Sequence, residues 1–318
     1  MTTHTILYHQ HCADGSAAAL AAWLALGEHE ARYIPCSYGR PLPDDIEPGS
    51  DVYLLDFTAK RGEMLALAMV AGRITVLDHH ASAAAELAGL PEQARNTLGA
   101  CEIRTVFDLN RSGCALAWAH FHPGKQLPWL LQLIEDRDLW RFALLDSRDL
   151  HCALDLDEDF RALASYIVRP RLINDLVADG RVIRAHLQRQ WRGVVAAAGP
   201  LLRWPAHAQN AYGAPSVRLV NCPPQWFSDV GHLLLATEPC ADIAILYSDD
   251  ERTHRRSWSL RSRKGGPDVS RIAATYGGGG HPNAAGFCTD LDAYDLGLTP
   301  CFRTAEYSAA RLTESAAA

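Results

Sequence analysis

The sequence lacks the features that would place it in a membrane, in a disulfide scaffold or along a nucleic-acid duplex. It has no long uninterrupted apolar run, so no membrane span is expected, and Met1-Thr2-Thr3-His4 does not open a secretory signal. Its nine cysteines are an odd number scattered without a CxxC pair. That argues against a zinc knuckle or a disulfide framework and for reduced thiols in a cytoplasmic protein. Positive charge is in deficit: 30 Lys and Arg stand against 37 Asp and Glu, a formal net charge of −7. A general affinity for long duplex nucleic acid is therefore not expected, whereas a short or mononucleotide-sized anion at a local site is compatible with it. Internal repeats are absent, and the only low-complexity stretch is the Ala-rich tail at 316–318, expected to be disordered.

What is present is the balance of a globular protein, 48% hydrophobic and 21% charged over 318 residues, long enough for two domains each with its own core. The most informative stretch is Val76-Leu77-Asp78-His79-His80. A hydrophobic strand over 74–77 runs directly into one acid and two histidines, groups that are costly to bury without a use. Two earlier segments have the same form. A strand over 5–8 leads into His9-Gln10-His11-Cys12-Ala13-Asp14-Gly15 and then a nearly all-apolar helix over 17–26. A strand over 51–56 ends in Asp56 and is followed by a helix over 61–71. Another strand is expected at 31–34. Alternating strands and helices imply a doubly wound, mainly parallel α/β sheet. Parallel strands point their C-terminal ends one way, so His9, Asp14, Asp56, Asp78, His79 and His80 are expected on one rim, where ligands bind in such sheets.

Further along, Arg111-Ser112-Gly113-Cys114 opens an apolar helix, either as a simple Ser cap or as an anion site at the helix start. A helix over 129–134 ends in Glu135-Asp136-Arg137-Asp138, a further source of acidic ligands. Helices are expected over 155–168 and 170–198, then a Gly- and Pro-containing linker. Domains are assigned at 1–195 and 215–318 with the linker at 196–214. The second, smaller α/β domain begins with a strand at 216–220. It carries a cluster of basic residues from Arg252 to Arg271, readable as a protected sheet edge or a binding patch. Gly277-Gly278-Gly279-Gly280-His281 has no following Lys-Ser/Thr and so is not a P-loop. Between a short helix and an apolar strand it reads as a loop whose backbone can approach a phosphate.

Taken together, His9…Asp14-Gly15, Asp56, Asp78-His79-His80, Asp136 and the late Gly-rich His281 motif resemble the DHH phosphoesterase superfamily with its DHH-associated C-terminal domain. The resemblance covers nearly the whole chain and is nearest to the oligoribonuclease or nanoRNase-type phosphodiesterases. It implies two divalent metals, Mn2+ with Co2+ or Mg2+ as alternatives, and an active site in the cleft between the domains. The implied substrate is short RNA or a dinucleotide, and a homodimer is left open. By the same resemblance His9 binds one metal, Asp14, His79 and Asp136 serve the other, and Asp56 bridges. His80 contacts the scissile phosphate or protonates the leaving oxygen, with Asp78 acting from behind. Arg261, His281 and the backbone of Gly278, Gly279 and Gly280 hold substrate.

One position departs from that pattern. Cys12 replaces the first acid of the opening motif, and three readings stand: Cys12 is a ligand, it is a bystander with water in its place, or His11 substitutes. Asp138 rivals Asp136 for the last ligand. Two other functions compete: a pyrophosphatase or other small phosphate-ester hydrolase, and a non-catalytic nucleotide-binding protein.

Overall fold

The computed structural model describes residues 4–98, 101–154, 159–204, 214–292, 296 and 299–300. Residues 155–158 of an expected helix, 205–213 of the expected linker and the Ala-rich tail lie outside the described residues. The chain divides into two compact units, Met1–Leu187 and Gln188–Ala318.

The first unit alternates strand and helix: β1 (His4–His9), α1 (Ala13–Glu30), β2 (Ala31–Cys36), β3 (Asp51–Leu55), α2 (Arg61–Ala68), β4 (Arg73–Asp78), α3 (Ala81–Glu86), α4 (Leu90–Leu98), β5 (Glu102–Phe107), α5 (Gly113–Phe121), α6 (Trp129–Asp138), α7 (Ser147–Ala153) and α8 (Ala164–Val168). The five strands form one sheet in the order β2-β1-β3-β4-β5, and every pairing is parallel. Its central strands are buried on both faces, and successive residues serve opposite layers. Ile6, Leu55 and Leu77 join the core beneath α1, α5 and α6, whereas Leu7, Val52, Leu54, Ile74 and Val76 join the core beneath α2 and α4. This is why these strands read as continuous apolar runs rather than as alternating ones. The strand order reverses direction between β1 and β3, and a topological switch of this kind opens a crevice at the C-terminal strand ends.

α9 (Leu172–Ala196) contains the division between the units. The second unit holds β6 (Leu201–Arg203), β7 (Ser216–Asn221), α10 (Phe227–Thr237), β8 (Ile243–Asp250), β9 (Arg255–Ser262), α11 (Val269–Thr275), β10 (Gly279–His281), β11 (Ala284–Asp290) and β12 (Thr299–Pro300). Its seven-stranded sheet runs β10-β11-β9-β8-β7-β6-β12, parallel only at β7–β8. Trp204, Ile243, Ile245, Trp258, Leu260 and Phe287 supply its core with Val269 and Ile272 of α11. Among the described residues no helix is long and apolar enough to cross a membrane.

Candidate metal centre at the rim of the parallel sheet

The parallel register carries the polar ends of β1, β3 and β4 to the same edge. Asp56 follows β3 directly. Its N–H still donates to Leu77 O at 3.0 Å, but its φ of 53° turns the chain into the left-handed region. A non-glycine residue held there is uncommon, and such outliers concentrate at functional sites. The turn is sheltered by the start of α5. A Cβ on Gly113 would lie 2.4 Å from Asp56 Cβ and 2.9 Å from Asp14 Oδ2, so only glycine lets that helix approach both carboxylates.

Asp56 is buried and its two oxygens face different neighbours. Oδ2 lies 3.3 Å from His9 Nδ1 and accepts from the Cys12 thiol at 3.4 Å. Oδ1 lies 3.2 Å from His79 Nε2. That histidine nitrogen also stands 3.4 Å from Asp138 Oδ2 and 3.7 Å from Asp14 Oδ2. Among the described residues at this rim three sets have their ligand atoms within 4.8 Å of one another: His9–Cys12–Asp56 and Asp14–His79–Asp138, which share no residue, and Asp56–Asp78–His79–His80, which overlaps both.

The remaining two residues of the Asp-His-His run, grouped with Asp56 and His79, also bond each other. Asp78 is fully buried; its Oδ1 accepts the His79 N–H at 2.6 Å, the His80 N–H at 3.1 Å and His80 Nδ1 at 2.7 Å. Through this contact Asp78 fixes the orientation of the His80 ring. Asp78 Oδ2 is buried without a hydrogen bond.

Asp14 is held differently. It accepts the N–H groups of Gly113 and Cys114 at 2.5 and 2.9 Å, the first two residues of α5. Ser112 caps the same helix through the Ala115 N–H. Of the two readings of Arg111-Ser112-Gly113-Cys114, the cap is the one observed, and the anion at this helix start is the protein's own Asp14.

The two acids at the end of α6 go to different places. Asp136 does not join the cluster: its carboxylate accepts the N–H groups of Ala143 and Leu144 at 2.9 and 3.2 Å and ties down the segment after α6. Asp138 faces His79 instead. Two residues on a helix differ by about 200°, so a face that presents one of this pair turns the other away.

The cluster is electrostatically incomplete by itself. Burial, then Asp56 and Asp138, push the Asp14 carboxyl well above its ordinary range, and burial likewise raises Asp138. Burial followed by Asp56 pushes the Cys12 thiol well up. Asp56, despite its burial, is held well below the usual carboxylate range by His79 and His9. Burial alone would lower His79 and His80, but Asp56, Asp138 and Asp14 lift His79 to about 10, and Asp78 with Asp56 lifts His80 to about 9. Among the described residues the partners of Asp14, Asp56 and Asp78 are histidines, a thiol and backbone N–H groups, with no Lys or Arg. Crowded, desolvated oxygens with imidazoles between them are a donor set that a divalent cation satisfies, and the residues fit one.

Tyr38 also borders the site, its ring edge-on to His9 with centroids 5.2 Å apart and to His80 at 6.0 Å. It lies in the Pro-rich 35–49 stretch, whose lack of periodicity gave no signal for it. His11, exposed and at φ 52°, belongs to neither donor set.

In the second unit the sequence-expected residues take up strand roles. Gly279–His281 is a strand, paired antiparallel with β11, rather than an open loop. A Cβ on Gly278 would lie 2.0 Å from Gly286 O, and one on Gly280, at φ 138°, 2.5 Å from Ala284 O. The glycines are thus required by close backbone approach inside the hairpin. His281 pairs with Ala284, and Ala284 with Arg261, so His281 and Arg261 share one cross-strand row. The Arg261 guanidinium donates to Ser259 Oγ, Leu260 O and Ser228 Oγ at 2.8–2.9 Å. The neighbouring basic residues are dispersed. Arg256 pairs with Asp249, Arg255 with Asp290, and Arg263 donates to the Leu235, Glu238 and Ala241 carbonyls at the end of α10.

No protein-family model matches the chain. It is 26% identical over 302 residues to an uncharacterized protein of Acanthamoeba polyphaga mimivirus, a match that spans 88% of this chain and 66% of that protein. Among solved structures it is similar to the pGpG-specific phosphodiesterase PggH of Vibrio cholerae, with 14% identity over 98% of this chain and 96% of the other and a TM-score of 0.43. It is also similar to a manganese-bound exonuclease RecJ, with 16% identity over 92% of this chain and 87% of the other and a TM-score of 0.48.

Proposed function

We propose that this chain is a metal-dependent phosphoesterase of the DHH type that hydrolyses short oligonucleotides or dinucleotides to mononucleotides. The observation that carries the reading is Asp56, which offers one carboxylate oxygen to each of two donor sets. His9, Cys12 and Asp56 would hold one divalent ion, and Asp14, His79 and Asp138 with the other oxygen of Asp56 the second. When bound, such a pair of ions, Mn2+ or alternatively Co2+ or Mg2+, supplies an activated water and offsets charge on the phosphoryl group.

The protein's own groups divide the remaining work. Asp78 locks the His80 ring through Nδ1, which leaves Nε2 to contact the phosphate and to carry a proton to the leaving oxygen. The α5 N-terminus keeps Asp14 in place before any ion arrives. Arg261 and His281, on one cross-strand row of the second unit, are assigned to the part of the substrate remote from the scissile bond. The net charge of −7 favours short substrates over long polyanions.

The test is a substrate panel with purified protein: a 5′-labelled diribonucleotide against longer RNA, cyclic dinucleotides and pyrophosphate. Conversion of the diribonucleotide to mononucleotides with Mn2+ is expected. No cleavage with Mn2+, Co2+ or Mg2+ overturns the reading, and phosphate release from pyrophosphate alone replaces it with a pyrophosphatase. His80→Ala is expected to keep its metal and lose roughly 10²–10⁴-fold in turnover, the range for removal of a general acid. Metal loss equal to that of an Asp56 variant would contradict the role given to His80.

A further inference from the structure

The two donor sets are chemically unlike. One offers nitrogen, oxygen and sulfur from His9, Asp56 and Cys12; the other offers only carboxylate oxygen and imidazole nitrogen, from Asp14, Asp138 and His79. Cys12 occupies the N-cap position of α1 without a side-chain cap hydrogen bond, although its carbonyl accepts the Ser16 N–H at 2.9 Å. The sulfur turns instead to Asp56 Oδ2, the same oxygen that His9 Nδ1 approaches. A sulfur, an imidazole nitrogen and a carboxylate oxygen thus converge within 4.8 Å of one another, the spacing of ligands around one ion. His11, the other candidate for this place, lies outside both sets.

We infer that Cys12 is a metal ligand and that the centre is built for two different ions: a thiophilic, borderline one such as Zn2+ or Co2+ at His9–Cys12–Asp56, and a harder one such as Mn2+ or Mg2+ at Asp14–His79–Asp138. Binding converts the Cys12 thiol to a thiolate; the S–H proton passes to solvent as the sulfur–metal bond forms. Thiolate ligands raise affinity for zinc and cobalt far more than for manganese or magnesium, so the sulfur sorts the ions between two positions that share Asp56. The inference rests on the two-metal reading of this site and deepens it by naming the ions.

The full-length protein, stripped with chelator, is titrated with Co2+ and read by near-ultraviolet absorption. A thiolate-to-cobalt charge-transfer band is expected in the wild-type protein and its loss in Cys12→Ser and Cys12→Asp. In a second measurement, limiting zinc is added with excess manganese, the protein is desalted and its metals are counted. The wild-type chain is expected to retain the zinc together with about one manganese, and Cys12→Asp to take manganese in both positions. An identical band and identical zinc retention in both variants overturns the assignment. Should Cys12→Ser fail to fold, Cys12→Asp, which restores an oxygen ligand, decides alone. The outcome is independent of the substrate reading. A Cys12-dependent band without diribonucleotide cleavage removes the substrate assignment only, and cleavage without the band removes the mixed-metal assignment only.

Discussion

The rim of the parallel sheet and the edge of the mixed sheet both carry concentrated charge, and they treat it in opposite ways. At the rim, Asp14, Asp56 and Asp78 are buried together, with imidazoles, a thiol and backbone N–H groups as partners. On the mixed sheet three basic groups have their own acid or carbonyl: Arg256 with Asp249, Arg255 with Asp290, and Arg263 with the carbonyls at the end of α10. These three pairings explain themselves as structure. The rim crowds carboxylates in a desolvated place with imidazoles and a thiol beside them, a donor set that a divalent cation fits. The difference teaches that unbalanced burial, more than the number of charges, marks the site.

The strongest test of that contrast is Asp56→Ala, which removes an oxygen from both donor sets at once. Turnover is expected to fall by roughly 10³-fold or more, the scale seen when a single charge-stabilising group is lost. Metal content by elemental analysis should fall with it. Retained metal would show that the two sets do not share this residue.

Next in size is a pair two residues apart. Asp138→Ala is expected to weaken metal binding by about 10–100-fold with little change in the urea midpoint. Asp136→Ala should cost about 1–3 kcal/mol of stability, because the N–H groups of Ala143 and Leu144 lose the buried carboxylate they both bond to. The reverse pattern would return Asp136 to the ligand set.

Two glycine substitutions compare the regions directly. Gly113→Ala and Gly278→Ala each force a Cβ into atoms less than 3 Å away, and each is expected to destabilise by about 1–3 kcal/mol. Only Gly113→Ala should also lower metal affinity, since its clash is with Asp56 and Asp14. Equal metal affinities in the two variants would break the link between that glycine and the site.

The smallest effect is on pH dependence. In the metal-free protein His79 is lifted from 6.5 to about 10 by its carboxylate neighbours. A raised folded-state value means that the protonated form contributes stability that is fully present below pH 6.5 and is lost as pH rises through about 10. Urea unfolding of chelator-treated protein should therefore show declining stability over that window. Metal binding at neutral pH should release protons, measurable by calorimetry in buffers of different ionisation enthalpy. A flat profile with no proton release would mean that His79 is neutral before metal arrives.

Much of the parallel sheet was legible because β1, β3 and β4 are short apolar runs that end abruptly in His9, Asp56 and Asp78-His79-His80, a local pattern that needs no knowledge of partners. β5 escaped notice, since Glu102-Ile103-Arg104-Thr105-Val106-Phe107 mixes charge with apolar residues and only pairing with β4 makes it a strand. The Gly-rich stretch reads along the sequence as a phosphate-approaching loop, and the close approach of β11 to its glycines comes from pairing between strands. The Arg252–Arg271 cluster reads as one patch, yet Arg255, Arg256 and Arg263 separate once Asp290, Asp249 and the end of α10 are brought beside them.

By itself the sequence determined the ligand inventory and the strand ends that carry it, since a strand's direction and its terminal residues are local properties of the chain. Tertiary structure alone decided which of Asp136 and Asp138 meets His79, which oxygen of Asp56 faces which donors, and that Cys12 stands beside Asp56. Those outcomes depend on helix phase and on distances between segments far apart in the chain, and no pattern along one segment encodes where another segment's atoms will stand.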